Sequence, residues 1–227
     1  AVVRFLDAPA VDGEDALPWV QLFNHGFQGP GGWYIENFPT TVQGKCPACE
    51  HNTKLWNSGI ESNKEIVRKQ KRKLTYIANI QVVSDAKRTE NEGKVFLWRF
   101  GKKIFNKVNE KLTPQFEDEK ALNPFDFWKG ANLKIKIRQV EGFRNYDKSE
   151  FDVMTPLFEG DDKAIEKVWK SANSLKEFVA PNQFKSYEEL TQQLGRALGS
   201  VGAARVATEI ADDTAPWEEP KSAKPTA

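Results

Sequence analysis

The alternation of apolar and polar residues along the chain predicts a protein built mainly from short β-strands. The pattern is clearest in five stretches, residues 2–6, 19–23, 74–83, 95–100 and 133–140. The stretch "HGFQGPGGWYIE", residues 25–36, predicts a hairpin, because its glycines suit a tight turn between two apolar segments. Several strands joined by long loops favour a small barrel over a doubly wound sheet.

The C-terminal third changes to helical spacing. Residues 161–179 place five apolar side chains on one helical face: Ile165, Val168, Trp169, Ala172 and Leu175. A second helix is predicted to begin at Ser186, in capping-box relation to Glu189, with Leu190, Leu194 and Leu198 on one side. Residues 203–227 become acidic and Pro-bearing, which predicts a flexible segment. We therefore expect an α+β fold, mainly β, with residues 1–202 as one folded core and C-terminal helices.

Composition and cysteine usage exclude several classes of protein. The hydrophobic fraction of 39% supports a core, and no apolar run approaches the ~20 residues of a membrane helix. We find no signal-peptide pattern, and two cysteines are too few for a secreted disulfide scaffold. A reducing, intracellular setting is expected. Because "AVVRFLDA" already reads as a strand and lacks an initiator Met, we expect a folded core whose terminal segments have been trimmed.

Charge is distributed unevenly along the chain. The net charge is only +1, yet residues 64–144 carry 20 Lys and Arg against 10 Asp and Glu. The flanking residues together are therefore acidic. A basic middle third with acidic flanks implies a localised positive field, and we expect its partner to be anionic.

The segment "GKCPACEHN", residues 44–52, holds both cysteines and one of the two histidines. A CxxC turn brings two sulfurs to the separation that one tetrahedral zinc requires, and redox proteins use the same spacing. The polar surroundings favour the metal over a redox pair. With His25 and His51, the cysteines Cys46 and Cys49 are enough for one closed structural zinc site. We expect no catalytic role, since nothing in the sequence places an acid or base beside an open metal position.

Three stretches combine cations with aromatic residues: "KEIVRKQKRKLTY", "KVFLWRFGKKIFNK" and "LKIKIRQVEGFRNY". Unpaired nucleic acid requires this mixture, since phosphates need a positive groove and bases need flat faces to stack on. In the second stretch the cations include Arg99, Lys102 and Lys103. If residues 95–100 form a strand, Phe96, Trp98 and Phe100 share one face. In the third, Leu133, Ile135 and Ile137 are expected on the core side.

Three other functions remain open at this point. A single-stranded RNA-binding protein would show the same pattern, although no reader of the 2′-hydroxyl is identifiable. A duplex-binding protein would need a basic recognition helix, for which the run 64–73 is a candidate, but that run is expected to merge into a strand. A nuclease would need clustered carboxylates, and the acids of the basic region are scattered.

The segments "NHGF", "WYIE", "CPAC", "NEGKVF" and "RFGKKI", in this order, resemble the single-stranded DNA-binding (helix-destabilising) proteins of T-even-type bacteriophages. The resemblance runs, with gaps, from about residue 4 to about residue 202. It implies an OB-fold barrel with an inserted zinc lobe at about residues 24–60. It also implies cooperative coating of single strands in phage DNA replication, recombination and repair, in the cytoplasm of the infected bacterial host, and no membrane partner.

Carried over by position, the resemblance assigns zinc ligation to His25, Cys46 and Cys49. It also assigns DNA contact to six aromatic residues and four cations: Trp33, Trp56, Tyr76, Trp98, Phe143 and Tyr146, with Arg4, Lys71, Arg72 and Arg99.

The chain departs from the family at one zinc position. The family has a further cysteine just after "WYIE", and Phe38 stands there in this chain. We expect His51 to substitute; the alternatives are an oxygen ligand such as Glu36 or Glu50, or a site that binds zinc weakly or not at all. We expect the chain to lack the family's basic N-terminal arm, which supports self-association along DNA. We also expect its acidic C-terminal tail, which recruits replication and recombination proteins, to be at most begun by "EIADDTAPWEEP". We therefore expect binding with weakened cooperativity.

Overall fold

The computed structural model describes residues 1–13, 15–38, 41, 43–116 and 118–199. The strands are β1 Val2–Phe5, β2 Trp19–Gly29, β3 Gly32–Asn37, β4 Lys73–Ser84, β5 Val95–Gly101, β6 Ala131–Lys134, β7 Arg138–Val140, β8 Phe143–Asn145 and β9 Glu150–Met154. The helices are α1 Pro47–Asn57, α2 Glu61–Gln70, α3 Lys102–Leu112, α4 Asp162–Lys170 and α5 Tyr187–Ala197. The expected α+β class, mainly antiparallel strands with C-terminal helices, is confirmed. The predicted flexible segment 203–227 lies outside the described residues.

The chain divides into two compact units. The first unit comprises Ala1–Leu22 and Leu74–Gln183, and the second comprises Phe23–Lys73 and the residues from Phe184 onward. No helix in the described part of the chain combines the length and the apolar character that crossing a membrane requires.

The first unit is organised around β4, a long strand buried along most of its length. It pairs antiparallel with β1 and with β5, while β6 pairs with β1 and β9 pairs with β6. Its core consists of ten buried side chains from four strands, α3 and a loop: Val3, Phe5, Tyr76, Ala78, Ile80, Phe100, Ile104, Val108, Phe125 and Leu133. This aromatic-rich core supports the exposed end of β5 and the start of α3.

The predicted strand 133–140 is wrong in extent, because β6 ends at Lys134. β6 pairs with β1, and the first residue of β1, Val2, lies opposite Lys134. Beyond this pair, β1 has no further strand residue with which β6 could pair. Residues 138–140 pair with β8 instead, across a turn at Glu141 and Gly142 where both residues have positive φ. Ile137, expected on the core side, is 57% exposed.

The predicted helix 161–179 ends at Lys170, well before its apolar pattern does. Backbone N–H groups that follow Lys170 donate hydrogen bonds to buried side chains of distant segments. Asn79 accepts from the backbone N–H of Asn173 at 2.9 Å, and Asp12 accepts from the backbone N–H of Leu175 at 2.7 Å. Ala172 and Leu175 are still buried, as the pattern predicted, but from a loop that leads to a short 3₁₀ helix.

The second unit has its own core, formed where β2, β3, α1 and α5 meet: Phe27, Tyr34, Phe38, Cys46, Ala48, Leu190, Leu194 and Ala197. The hairpin of β2 and β3 is confirmed, as is the capping box between Ser186 and Glu189 that begins α5. The basic run 64–73 is helical through Gln70 and then leads, as expected, into a strand, since β4 begins at Lys73.

The β2–β3 turn closely approaches the end of α5. The N–H of Gly31 donates to the carbonyl of Ala197 at 2.9 Å, and a Cβ on Gly31 would lie 1.8 Å from the carbonyl oxygen of Arg196. Such a contact forces the helix away from the hairpin. We expect Gly31→Ala to destabilise the protein by about 1–3 kcal/mol, measured by urea unfolding.

Gly26→Ala is the matched control in the same hairpin. A Cβ on Gly26 meets only the Nζ of Lys73, at 3.9 Å. This variant is expected to be neutral or stabilising by about 0.4–1 kcal/mol, since it restricts the unfolded chain. Equal destabilisation by both variants would contradict the close-approach explanation.

Candidate metal centre and nucleic-acid interface

A cluster of potential metal ligands lies inside the second unit. His25 from β2, Cys46 and Cys49 bring one ligand atom each within 4.8 Å of one another. The Sγ of Cys49 lies 3.4 Å from Nε2 of His25. His25 and Cys46 are buried, and Cys49 is half-buried. Two thiol groups and an imidazole are the donor types that zinc prefers in structural sites.

The CPAC motif begins α1 rather than forming an isolated turn. Cys46 is the N-cap residue, Pro47 is the first helical residue, and Cys49 follows within the first turn. Proline suits this position because its fixed φ is helical and its missing N–H would have no partner there. A hydrogen bond with Cys49 lowers the pKa of Cys46 to about 5, with a smaller contribution from His25, although burial acts in the opposite direction. The Cys46 thiolate that a metal requires is therefore favoured at neutral pH.

The imidazole of His25 is oriented by the backbone of α2. Its Nδ1 lies 2.8 Å from the carbonyl oxygen of Gln70, and because a carbonyl can only accept, Nδ1 carries the proton. The lone pair of Nε2 is then free to face the cysteines. Metal-binding histidines are commonly fixed in this way by a hydrogen bond on the other ring nitrogen. The donor set therefore fits three of the four ligands of a zinc ion.

The residues expected to provide a fourth ligand are not part of the cluster. Among the described residues, the group of potential ligands contains neither His51, Glu36 nor Glu50. His51 is half-buried, and burial, together with the charge of Lys54, lowers its pKa. Phe38, at the position of the family's additional cysteine, is buried with its ring 5.4 Å from that of His25.

A second candidate site is a surface pocket of about 280 Å³ in the first unit. It lies where β5 ends and α3 begins, and is lined by Thr75, Trp98, Arg99, Phe100, Gly101, Ile104 and Tyr146. Trp98 is half-buried, with its ring 5.8 Å from that of Phe5 in the core. The core thus holds the indole of Trp98 in place, while part of the indole stays accessible.

The surroundings of this pocket are positively charged. Lys102 and Lys103 form the start of α3, whose first turn contains no acidic residue. The N-terminus of a helix adds partial positive charge of its own. Nζ of Lys103 donates to Oδ1 of Asn145 at 3.2 Å, beside Tyr146. In the same unit, Phe143 of the β7–β8 hairpin is 77% exposed. Six predicted contact residues thus lie in this unit at accessible positions: Trp98, Arg99, Lys102, Lys103, Phe143 and Tyr146.

Two predicted contact residues lie in the interior instead. Arg4 is fully buried, and its guanidinium donates to the carbonyls of Thr155 at 2.5 Å and Phe127 at 3.3 Å. Burial lowers the pKa of Arg4 to about 10, while Asp126 acts in the opposite direction. Tyr76 is buried with its ring stacked 3.8 Å from that of Phe105. Neither side chain presents a surface for a nucleic acid in this conformation.

The remaining predicted contact residues belong to the second unit. Trp33 and Lys71 are exposed, while Trp56 and Arg72 are half-buried. The cationic groups of Lys64 and Arg68 lie 6.0 and 5.9 Å from the Trp56 ring centre. The guanidinium of Arg72 lies 4.5 Å from the ring of Phe23. Trp33 is therefore the most accessible aromatic side chain of the predicted set in this unit.

Five residues in or beside these two sites were not singled out by the sequence pattern. Thr75, Gly101 and Ile104 line the pocket, and Asn145 bonds Lys103. Nδ2 of Asn52 donates to the carbonyl of Gln70, the same oxygen that accepts from His25. For Asn52 a signal existed, because it follows Cys49 by three residues, a spacing that places two side chains on the same side of a helix.

Comparison with known proteins shows the family of the chain. A family model described as "gp32 DNA binding protein like" matches residues 1–198. The chain is 40% identical over 226 residues to the single-stranded DNA-binding protein of Enterobacteria phage T4, covering 95% of this chain and 72% of that protein. The protein of the same name from Enterobacteria phage T2 is also 40% identical, over 228 residues, with the same coverage. The chain therefore belongs to the gp32-like family of DNA-binding proteins.

Proposed function

We propose that this protein binds single-stranded DNA, largely without sequence preference, and coats unpaired strands during phage DNA replication, recombination and repair in the cytoplasm of the infected bacterium. The observation that carries the proposal is the pocket of the first unit, where Trp98 and Tyr146 lie beside Arg99. Flat aromatic faces stack on unpaired bases, and cations neutralise phosphates. Family membership and the names of the relatives support the same function.

The mechanism requires no chemical step. Each stacked base contributes about 1–3 kcal/mol, and every phosphate neutralised by Lys or Arg releases counterions to the solvent. A ligand that binds only the unpaired strand shifts the melting equilibrium of a duplex toward single strands by mass action. The proposed DNA contacts are the exposed and half-buried members of the predicted set: Trp33, Trp56, Lys71, Arg72, Trp98, Arg99, Lys102, Lys103, Phe143 and Tyr146.

Recognition of duplex DNA by the basic helix α2 is less well supported than binding of single strands. Arg68 bonds Glu61 at 3.1 Å and also bonds Glu65, and Lys64 bonds Glu61 at 3.2 Å. These cations are already paired with acids of their own helix, so their charge toward a phosphate backbone is reduced. Direct base readout from a helix also makes no use of accessible aromatic rings.

We further propose that the first unit is an OB-fold barrel and that the second unit is a zinc-stabilised lobe. His25, Cys46 and Cys49 would hold the ion, which would supply folding free energy rather than reactivity. The separate small core of the second unit supports this view, since eight buried side chains form it. Self-association along DNA and recruitment of replication and recombination proteins by an acidic tail are proposed from the family resemblance.

The contribution of Trp98 is the most direct test of the DNA site. We expect Trp98→Ala to lower affinity for a labelled single-stranded oligonucleotide by about 1–3 kcal/mol, roughly 5- to 150-fold. Fluorescence anisotropy at two salt concentrations measures it. Wild-type binding should weaken steeply with salt and be much poorer for the matching duplex.

Trp128→Ala serves as the control, since Trp128 is also accessible in the first unit but does not line the pocket. Its Nε1 donates to Asp162 at 3.1 Å. Affinity close to that of the wild type is expected. Equal affinity of the wild type for single strand and duplex would contradict the proposal, and tighter binding of an RNA of the same sequence would identify RNA as the substrate.

A further inference from the structure

The zinc site proposed above lacks one ligand, and that site is the starting point here. Structural zinc is almost always held by four protein ligands in a tetrahedron. His25, Cys46 and Cys49 provide three of them. The residue that provides the fourth therefore determines whether this lobe holds zinc tightly.

Each ligand expected from the sequence is directed elsewhere. His51 follows Cys49 by two residues on α1, about 200° around the helix axis, so the two side chains do not face each other. Glu36 accepts a hydrogen bond from Nζ of Lys185 at 2.7 Å. Glu50 accepts from the hydroxyl of Tyr187 at 2.6 Å.

Asn52 lies on the same helix as Cys49, near the cluster in sequence, and carries a buried oxygen without a hydrogen-bond partner among the described residues. It follows Cys49 by three residues on α1 and is 1% exposed. Its Nδ2 donates to the carbonyl of Gln70 at 3.3 Å, and Nδ1 of His25 bonds the same oxygen at 2.8 Å. The carboxamide of Asn52 is thereby tied to the backbone oxygen that orients the metal-binding imidazole.

The Oδ1 atom of Asn52 is buried and accepts no hydrogen bond from the described part of the chain. Leaving a buried acceptor without a partner costs about 1–3 kcal/mol, so such atoms are rare and usually have a water or an ion as partner. This orphan oxygen lies in the one lobe of the protein that has an incomplete zinc ligand set.

We propose that Asn52 completes the zinc site through its carboxamide oxygen, Oδ1. The arrangement gives two thiolates, one neutral imidazole and one neutral oxygen, so the charge of the ion is balanced inside a buried site. Burying a balanced set of charges is much less costly than burying a net charge.

Zinc affinity, measured by competition with a chromophoric chelator, tests the assignment. Asn52→Leu is expected to weaken zinc binding by at least the roughly 10- to 100-fold that loss of an outer-shell partner causes. Asn52→Asp separates ligation from mere positioning. An aspartate keeps the oxygen and adds charge, so a ligand role predicts equal or tighter binding. A residue that only donates to Gln70 would lose that function as Asp, and binding would weaken as it does for Leu.

His51→Ala is the matched control and is expected to bind zinc within about twofold of the wild type. Gln70→Leu tests a rival ligand, because Gln70 also carries a buried side-chain oxygen without a partner among the described residues, and its substitution leaves the backbone carbonyl in place. If Asn52 is the ligand, Gln70→Leu weakens zinc binding less than Asn52→Leu does. X-ray absorption of the wild-type zinc protein is expected to show two sulfur and two nitrogen or oxygen neighbours.

The outcomes distinguish this assignment from the zinc site itself. A wild type that binds no zinc overturns both. A wild type that binds zinc, with Asn52→Leu unaffected or with Asn52→Asp as weak as Asn52→Leu, overturns only the role of Asn52. Loss of binding in Gln70→Leu alone assigns the fourth position to Gln70 instead. If Asn52→Leu does not fold, Asn52→Asp decides the question.

Discussion

If the second unit holds zinc as proposed, removing the ion is expected to unfold this unit while the first unit keeps its structure. In zinc-finger peptides, binding of a structural zinc contributes about 10–16 kcal/mol at neutral pH, which is as large as the whole stability of a typical domain, about 5–15 kcal/mol. The core of the second unit comprises eight buried residues. Two of them, Cys46 and Ala48, belong to the CPAC segment that would bind the ion. Without the ion, this core has little else to hold β2, α1 and α5 together.

Hydrogen exchange measures this effect unit by unit. After chelation, amides of residues 23–73 and 184–199 are expected to lose protection, while those of β1, β4 and β6 keep it, because their cluster contains only residues of the first unit. Cys49→Ser should reproduce the effect without a chelator, since a serine hydroxyl does not ionise to bind zinc. His51→Ala is the control and should retain protection. Unchanged exchange in the metal-free protein would show that the lobe folds without zinc.

Phe5→Ala is expected to destabilise the first unit by about 3–5 kcal/mol, the usual result of removing a buried phenyl ring. Phe5 is fully buried, and its ring lies 5.3–6.3 Å from four other rings, those of Trp98, Phe100, Phe125 and Phe151. The cavity left behind is therefore bordered by rigid aromatic groups that collapse poorly. Urea unfolding followed by circular dichroism measures the loss.

Phe5→Ala also removes the ring against which the indole of Trp98 packs. We expect single-stranded DNA to bind more weakly to Phe5→Ala even under conditions where the variant is fully folded, since the indole is no longer held at the pocket. Phe116→Ala is the matched control, because Phe116 is 67% exposed; a change within about 0.5 kcal/mol is expected there. Similar stabilities of the two variants would be inconsistent with the described core.

Patterns among neighbouring residues were sufficient for several elements. The hairpin of β2 and β3 follows from its glycine-rich turn, and the start of α5 follows from Ser186 and Glu189, three residues apart. The CPAC spacing was enough to bring Cys46 and Cys49 together, and family membership was recognisable from short ordered segments. All of these features are encoded by residues close together in the chain, which is why the sequence reveals them.

Tertiary structure alone decided which side chains are accessible. Arg4 and Arg99 look alike in the sequence, yet Arg4 is buried by carbonyls of residues more than a hundred positions away. Tyr76 and Trp98 both lie beside cations in the sequence, but only Trp98 lines the pocket. Likewise, the end of α4 depends on Asp12 and Asn79, and the choice between His51 and Asn52 depends on a helix at CPAC. The burial and direction of these side chains are set by partners distant in the chain, which local sequence patterns do not identify.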